Sequence, residues 1–219
     1  GVRFLLAHPD LLRDQYLALL QAVQETPKGE EASRRRVRYL LPMIALPEEI
    51  DIVRSFLDEI AAAEGLINSG DAIEIGAMIE IPSAALMAGE IASRCEMISI
   101  GSNDLAQFLF AGDRSQRDAA ALADALHPAA LRTIRQICQA AAFHNCPVSL
   151  CGEMAGNPLA TPLLLGLGVN EVSVTPSATQ VVKAAVGRYT LEECRTLAEA
   201  ALAAPDLRRV REILTEFAA

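Results

Sequence analysis

The chain is built from a repeated unit, a short apolar run followed by a segment with apolar residues at helical spacing. The runs lack polar alternation, which is typical of parallel strands that are buried on both faces. Strands that alternate with helices indicate βα units around a parallel sheet, so the expected fold class is α/β. The five predicted strands are Arg36–Leu41, Ile73–Ile79, Met97–Ile100, Pro147–Leu150 and Glu171–Val174.

The segments around these strands carry helix signals, among them prolines in first turns, a closing glycine at Gly65 and a capping box from Thr190 to Glu193. The stretch Gly101–Arg114, which follows the third strand, is expected to be a functional loop. We treat residues 1–219 as one domain, because an α/β barrel takes about 250 residues. The predicted helices are 9–24, 47–65, 82–94, 118–125, 128–144, 158–166, 178–186, one opened by the capping box, and 205–217.

The charge balance argues against polyanionic partners. The chain has 28 acidic and 19 basic side chains, a net charge of -9, which disfavours nucleic acid and anionic membrane surfaces by repulsion. No apolar run approaches the roughly 20 residues of a membrane span, and the N-terminus lacks a secretory pattern, so we expect a cytoplasmic protein. The five cysteines include no C-x-x-C pair, and a disulfide framework is not expected.

Polar side chains follow three of the predicted strands at the points where the strands end. Glu80 follows the second strand, Asn103 and Asp104 follow the third, and Cys151 and Glu153 follow the fourth. The carboxyl ends of parallel strands are where α/β enzymes place their chemistry. We therefore expect these side chains to converge on one site.

The residue types suggest how such a site could work. Glu80 and Asp104, without a histidine nearby, suit Mg²⁺, which takes one or two protein carboxylates besides substrate oxygens and water. Arg114 is the local candidate for binding an anionic group of the substrate. Simpler interpretations remain open: the acids could be surface residues or helix caps, Arg114 could form an ordinary ion pair, and Cys151 could be a buried, inert thiol.

Several longer motifs resemble one known family. GAMIEIPSAALMAGEIA, SIGSNDLAQFLFAGDR and SLCGEMAGNPLATPLLLGLGVNEVSV, with GVRFLLAHPDLLRDQYLALLQA and RVRYLLPMI upstream, resemble the C-terminal domain of enzyme I of the phosphotransferase system. These enzymes are the phosphoenolpyruvate-protein phosphotransferases, which also occur within fused multiphosphoryl transfer proteins. Pyruvate phosphate dikinases and phosphoenolpyruvate synthases share parts of the motifs.

The resemblance implies a (β/α)8 TIM-type barrel that binds phosphoenolpyruvate (PEP) and Mg²⁺. It implies that the phosphoryl group passes to a histidine on a separate N-terminal domain and then to a small phosphocarrier protein, with release of pyruvate, in the service of sugar uptake. Carried over by motif, Glu80 and Asp104 match the magnesium ligands, and Asn103 and Arg114 match the phosphate-binding residues. Cys151 matches the acid that protonates the enolate.

The chain also departs from the family pattern. It carries about the last five βα units of the barrel and the C-terminal helices, without the upstream strands and their two substrate-binding arginines or the histidine-bearing domain. Alone, it is expected to bind PEP weakly and not to complete turnover. The open barrel edges are expected to be covered by a second copy or by the terminal helices, with a homodimer as the first expectation. The alternatives are the corresponding domain of a dikinase or synthase, and a non-catalytic module for PEP sensing or dimerisation.

Overall fold

The computed structural model describes residues 1–25, 37–65, 73–112 and 123–219. Five strands in these ranges form one sheet, in agreement with the five strands expected. The predicted and observed bounds differ by two residues or fewer at each end. The strands are β1 (Val37–Leu41), β2 (Ile73–Ile79), β3 (Met97–Gly101), β4 (Val148–Cys151) and β5 (Glu171–Val172).

The strand order in the sheet is the order of the strands along the chain. Every neighbouring pair is parallel, from β1 with β2 to β4 with β5. Parallel neighbours need crossover connections, and right-handed crossovers that all advance in one direction place their helices on one face of the sheet. This arrangement confirms the α/β fold class, and it is the order that consecutive strands take in a barrel.

The helices lie between and after the strands. Among the described residues they are α1 (Val2–Ala7), α2 (Pro9–Glu25), α3 (Glu48–Ala63), α4 (Pro82–Leu86), α5 (Ala88–Ala92), α6 (Ser102–Leu109), α7 (Pro128–Phe143), α8 (Thr161–Leu167), α9 (Thr179–Val186), α10 (Leu191–Ala203) and α11 (Leu207–Ala218). Short 3-10 turns occupy Glu153–Gly156 and Pro176–Ala178.

Alternate strand residues divide the sheet into an apolar face and a more polar face. Ile79, Ile98 and Leu150 are fully buried members of the main hydrophobic core. Ser99 and Ser149 are register partners on β3 and β4 and point to the opposite face, where they are 3% and 5% exposed. The apolar face therefore supplies the core, and the opposite face carries polar side chains such as Ser99 and Ser149.

The sheet is strongly curved. In a flat sheet β1 and β5 would lie about 19 Å apart, four spacings of roughly 4.8 Å. Yet Arg38 on β1 donates a 2.8 Å hydrogen bond to Glu171 on β5, and its Nε lies 3.4 Å from Glu74 on β2. The two edge strands thus approach each other across the polar face, as strands on an arc of a barrel would. Closure into a complete barrel remains a prediction.

Several helix predictions need correction. The predicted loop over Gly101–Arg114 contains α6, and the helix predicted over 82–94 is divided into α4 and α5 near Met87. The helix predicted at 118–125 falls mostly outside the described residues, and the part that is described, 123–125, is not helical. Within the described ranges, no helix is both long and apolar enough to cross a membrane.

Candidate functional site

The structure brings Glu80, Asn103, Asp104 and Cys151 to one end of three adjacent strands. Glu80 directly follows β2, Asn103 and Asp104 lie in the first turn of α6 after β3, and Cys151 is the last residue of β4. These four of the five predicted side chains lie at the carboxyl end of the sheet, as expected, and the fifth, Glu153, opens the 3-10 turn that follows β4. Arg114 lies outside the described residues.

Glu80 and Asp104 form a pair of like charges. Glu80 is only 4% exposed, and it lies in hydrogen-bonding contact with Asp104. Burial raises the pKa of Glu80, a hydrogen bond from the Met43 backbone lowers it, and the charge and contact of Asp104 raise it further. The charge of the chain's N-terminus lowers it. Two carboxylates in contact, one of them buried, are an arrangement that a bound cation would stabilise.

The backbone around Glu80 is arranged to hold the carboxylate in place. The Met43 N–H donates a 2.8 Å hydrogen bond to Glu80 Oε1, and Met43 takes a positive φ of 60°, a conformation that a residue other than glycine rarely adopts. On the other side, a Cβ added to Gly101 would lie 2.6 Å from Glu80 Oε2. A glycine at the end of β3 thus leaves the space that this carboxylate occupies.

Cys151 lies beside the carboxylate pair. Burial raises the pKa of its thiol, a hydrogen bond with Ser99 lowers it, and the charges of Glu80 and Asp104 raise it. The net shift is upward, so the thiol keeps its proton at neutral pH. A neutral thiol in this position can donate a proton, whereas a reactive cysteine nucleophile needs a lowered pKa.

The turns after β3 and β4 are tied together directly below the site. Gly101 and Cys151 are register partners, and Ser102 Oγ donates a 2.7 Å hydrogen bond to the Cys151 carbonyl. Asn103 Oδ1 accepts a 3.2 Å hydrogen bond from the Glu153 N–H. The amide oxygen of Asn103 is therefore engaged by the backbone of Glu153. Its side-chain NH₂ remains as the group that could donate a hydrogen bond to an anion.

Gly152 makes this junction possible. Its φ of 101° and ψ of -175° lie in a region that is essentially restricted to glycine. A Cβ at this position would also lie 2.9 Å from Asn103 Oδ1 and still closer to Ser102 Oγ. The supporting roles of Gly101, Gly152 and Ser102 were not predicted from the sequence, although the glycine next to a polar residue at each strand end was the available signal.

A groove of about 850 Å³ opens beside the site. Asn103 and Glu153 lie at one end, and Arg211 on α11, which forms a 2.6 Å ion pair with Asp124, lies along it. The carboxylate pair and Cys151 are outside the groove's lining. Among the described residues, the groove thus meets the candidate site at Asn103 and the neighbouring Glu153.

The carboxylate pair is small for a metal site made only of protein ligands. In the part of the chain that the structure describes, no group of three or more His, Cys, Asp or Glu residues is arranged to hold a metal ion. Ca²⁺ and structural Zn²⁺ sites usually take more protein ligands than two. A pair of acids instead fits Mg²⁺, which usually keeps several waters and shares its remaining positions with a substrate.

Comparison with known proteins places the chain in a family. Residues 1–191 match the family described as PEP-utilising enzyme, PEP-binding domain. The multiphosphoryl transfer protein of Rhodobacter capsulatus is 40% identical over 96% of this chain, and the phosphoenolpyruvate-protein phosphotransferase of Haloferax volcanii is 39% identical over 94% of it. The chain spans only 24% and 36% of the lengths of these two relatives.

A solved structure supports the fold. The crystal structure of a citrate lyase from Burkholderia xenovorans LB400 superposes with a TM-score of 0.58 at 17% identity, covering 94% of this chain and 67% of that one. At this level of identity the likeness concerns the α/β fold alone. Family membership rests on the match over residues 1–191, which shows that the chain belongs to the PEP-binding domain family of PEP-utilising enzymes.

Proposed function

We propose that the chain is the catalytic, PEP-binding domain of a phosphoenolpyruvate-protein phosphotransferase, which transfers the phosphoryl group of PEP to a histidine on a separate domain. The supporting observation is the convergence of Glu80, Asp104 and Cys151, from three adjacent strands, in a chain of the PEP-binding family. The names of its relatives in Rhodobacter capsulatus and Haloferax volcanii point to the same activity.

Glu80 and Asp104 are the residues that would hold Mg²⁺. The fit rests on their own chemistry: two acids in contact, one of them buried with a raised pKa, form a site that a divalent cation would stabilise. When bound, the ion would offset the negative charge of the PEP phosphate as the phosphoryl group leaves.

Asn103 and Arg114 are the proposed phosphate-binding residues. The hydrogen bond of Asn103 Oδ1 with the Glu153 backbone orients the amide and leaves its NH₂ as donor to a phosphate oxygen. Arg114 is assigned by the resemblance of the motif ending in GDR, and a guanidinium suits a phosphate because it can donate two parallel hydrogen bonds.

Cys151 is the proposed acid. As the bond between the phosphorus and the enol oxygen of PEP breaks, the phosphorus bonds to the acceptor histidine and the electron pair stays with the enolate. The Sγ–H of Cys151 then passes its proton to the C3 carbon, which yields pyruvate, and the resulting thiolate recovers a proton from solvent. The raised pKa of the thiol and its position beside the carboxylates support this role.

The remaining parts of the proposal concern the whole protein. Residues 1–219 would form the C-terminal barrel domain of a cytoplasmic protein, with a histidine-bearing domain and a small phosphocarrier protein as partners and a second copy of the chain in a homodimer. The net charge of -9 supports a partner other than nucleic acid. The pathway served would be sugar uptake.

The decisive experiment is phosphoryl transfer by the full-length protein that contains this chain, with PEP, Mg²⁺ and the phosphocarrier. Pyruvate release is the measurement, and Cys151→Ala should reduce it by at least about 100-fold, the usual contribution of a general acid. The Cys194→Ala variant is the matched control, since Cys194 is a buried thiol on α10. Unchanged transfer in Cys151→Ala would refute the assigned role, and PEP binding without any transfer would favour a sensing module.

A further inference from the structure

Two thiols outside the candidate site lie against each other where β3 and β4 begin. Cys95 precedes the first residue of β3 by two positions, and Cys146 precedes the first residue of β4 by two. The two strands are hydrogen-bonded neighbours, with Ile98 opposite Val148. We propose that Cys95 and Cys146 form an oxidation site, in which a peroxide converts the thiol pair into a disulfide that ties β3 to β4.

The geometry brings the two sulfur atoms together. Cys146 Sγ lies 3.8 Å from the Cys95 carbonyl oxygen, and the two thiols are close enough that each shifts the pKa of the other. Cys95 Sγ is also held 3.2 Å from the carbonyl oxygen of Met97. Neighbouring strands lie about 4.8 Å apart. Continued from the pairing of Ile98 with Val148, the register puts Cys146 opposite Glu96, one residue from Cys95. One strand spacing and one residue step of roughly 3.3 Å give a Cα separation of about 6 Å, within the roughly 4.4–6.8 Å that a disulfide spans.

The surroundings give the two thiols different roles. Cys146 lines a cavity of about 340 Å³, whose described lining does not include Cys95, so a small oxidant would reach Cys146 first. The hydrogen bond from Cys95 lowers the pKa of Cys146, and the same bond, together with burial, raises the pKa of Cys95. The negative charge of Glu96 raises the pKa of Cys146 and so disfavours its thiolate. Arg54, whose Nη2 lies 3.0 Å from Glu96 Oε1, offsets part of that charge.

The reaction balances with hydrogen peroxide as the oxidant. The Cys146 thiolate attacks one peroxide oxygen, the O–O bond breaks, and water leaves after protonation, which leaves a sulfenic acid on Cys146. The Cys95 sulfur then attacks the Cys146 sulfur, loses its proton and displaces a second water as the S–S bond forms. Two thiols lose two electrons and two protons, and the peroxide accepts both.

Cys138 is the competing partner, because it lines the same cavity as Cys146. Cys138 lies within α7, whereas Cys95 and Cys146 lie at adjoining strand ends. Burial raises the pKa of Cys138 to about 12, and the pKa of Cys95 is raised as well, so acidity does not distinguish the two possible partners. The contact between the thiols of Cys95 and Cys146 also favours their pairing. We therefore expect Cys138 to stay reduced while the proposed pair oxidises.

The test is mild oxidation of the reduced 219-residue chain with hydrogen peroxide, followed by catalase, thiol alkylation, trypsin and mass spectrometry. Trypsin leaves Cys95 on peptide 95–114 and Cys146 on peptide 136–183, so the disulfide appears as a linked pair two hydrogen atoms lighter than the sum of the separate peptides. Fragmentation of peptide 136–183 locates the bonded sulfur among its three cysteines. We expect it at Cys146.

The variants separate the alternatives. Cys138→Ser is the matched control and should form the linked pair to the same extent as the parent chain. Cys95→Ser should accumulate a sulfenic acid at Cys146 that dimedone traps, and circular dichroism would check its folding. A bond at Cys138, or a parent chain in which Cys95 and Cys146 both remain open to alkylation after peroxide, would overturn the proposal. The parent chain and Cys138→Ser decide the outcome even if Cys95→Ser folds poorly.

Discussion

Ser102 Oγ donates a 2.7 Å hydrogen bond to the carbonyl oxygen of Cys151, and this bond joins the turn after β3 to the end of β4. Ser102 is 1% exposed, and its loss would leave the partly buried Cys151 carbonyl without this donor. We expect Ser102→Ala to lower the free energy of unfolding by about 1–3 kcal/mol. Chemical denaturation measures this change, and Ser102→Thr, which keeps the hydroxyl, should recover most of it. Equal losses in both variants would show that packing at this position matters more than the hydrogen bond.

Gly152 should tolerate a side chain much less than Gly65 does. Both glycines have positive φ, 101° and 68°, but a Cβ at Gly65 meets nothing within 4 Å, whereas one at Gly152 would collide with Ser102 and Asn103. Gly65→Ala should therefore cost only the backbone strain, about 1–2 kcal/mol. Gly152→Ala should cost more than that, and should displace Cys151. Comparison of the two melting temperatures checks the difference, and similar values would contradict the steric argument.

The fold and the convergence of the site were largely predictable, because both depend on local patterns. The run Ile73–Ile79 became a strand of the same bounds, since a run that is apolar apart from Glu74 favours a buried parallel strand. Glu80 and Cys151 could be assigned to one edge of the sheet because parallel strands end together. No contact needed to be known for either inference.

Helix α6 and the supporting contacts were missed for the opposite reason. Ser102, Asn103 and Asp104 are residues typical of turns, but they are also favourable in the first turn of a helix, and contacts with the next loop decide between the two. The Met43 N–H that holds Glu80 comes from a strand end 37 positions away. A contact of this range depends on the folded sheet, and the sequence of either segment alone does not indicate it.

Glu80→Gln should stabilise the chain in the absence of metal. The folded state raises the pKa of Glu80, so the carboxylate costs stability as the pH rises from the usual range of a glutamate, about 4.3, through that raised pKa. The full cost is present at neutral pH and absent in acid. A neutral glutamine keeps the acceptor for the Met43 N–H. We expect a gain of about 1 kcal/mol at neutral pH, seen as a rise of roughly 2–4 °C in melting temperature.

Glu49→Gln is the matched control, with the opposite sign. Glu49 is also a buried carboxylate, but it accepts backbone hydrogen bonds from Ala45 and Leu46 and pairs with Arg3. Loss of its charge should destabilise the chain by about 1–2 kcal/mol. Mg²⁺ should raise the melting temperature of the parent chain and of Glu49→Gln, but not of Glu80→Gln. A Glu80→Gln variant that Mg²⁺ still stabilises as strongly would remove Glu80 from the proposed metal site.

Ser99 should tune the thiol of Cys151 through their hydrogen bond. Burial and the nearby carboxylates raise the pKa of Cys151, and the Ser99 contact offsets part of that increase. Ser99→Ala should therefore shift the alkylation of Cys151 by iodoacetamide to higher pH, because the thiolate is the reacting form. Loss of one hydrogen bond of about 1 kcal/mol corresponds to a roughly fivefold slower reaction below the pKa. Mass spectrometry at a series of pH values measures the rate at Cys151.

Ser149 offers the control for this experiment. It is the register partner of Ser99 and equally buried, but its hydroxyl lies 3.5 Å from the Ile98 carbonyl oxygen on the neighbouring strand. Ser149→Ala removes the same atom from the same face of the sheet, so it should leave the pH dependence of Cys151 alkylation unchanged. A shift of similar size in both variants would mean that loosening of the sheet, and not the Ser99 hydroxyl, governs the reactivity of the thiol.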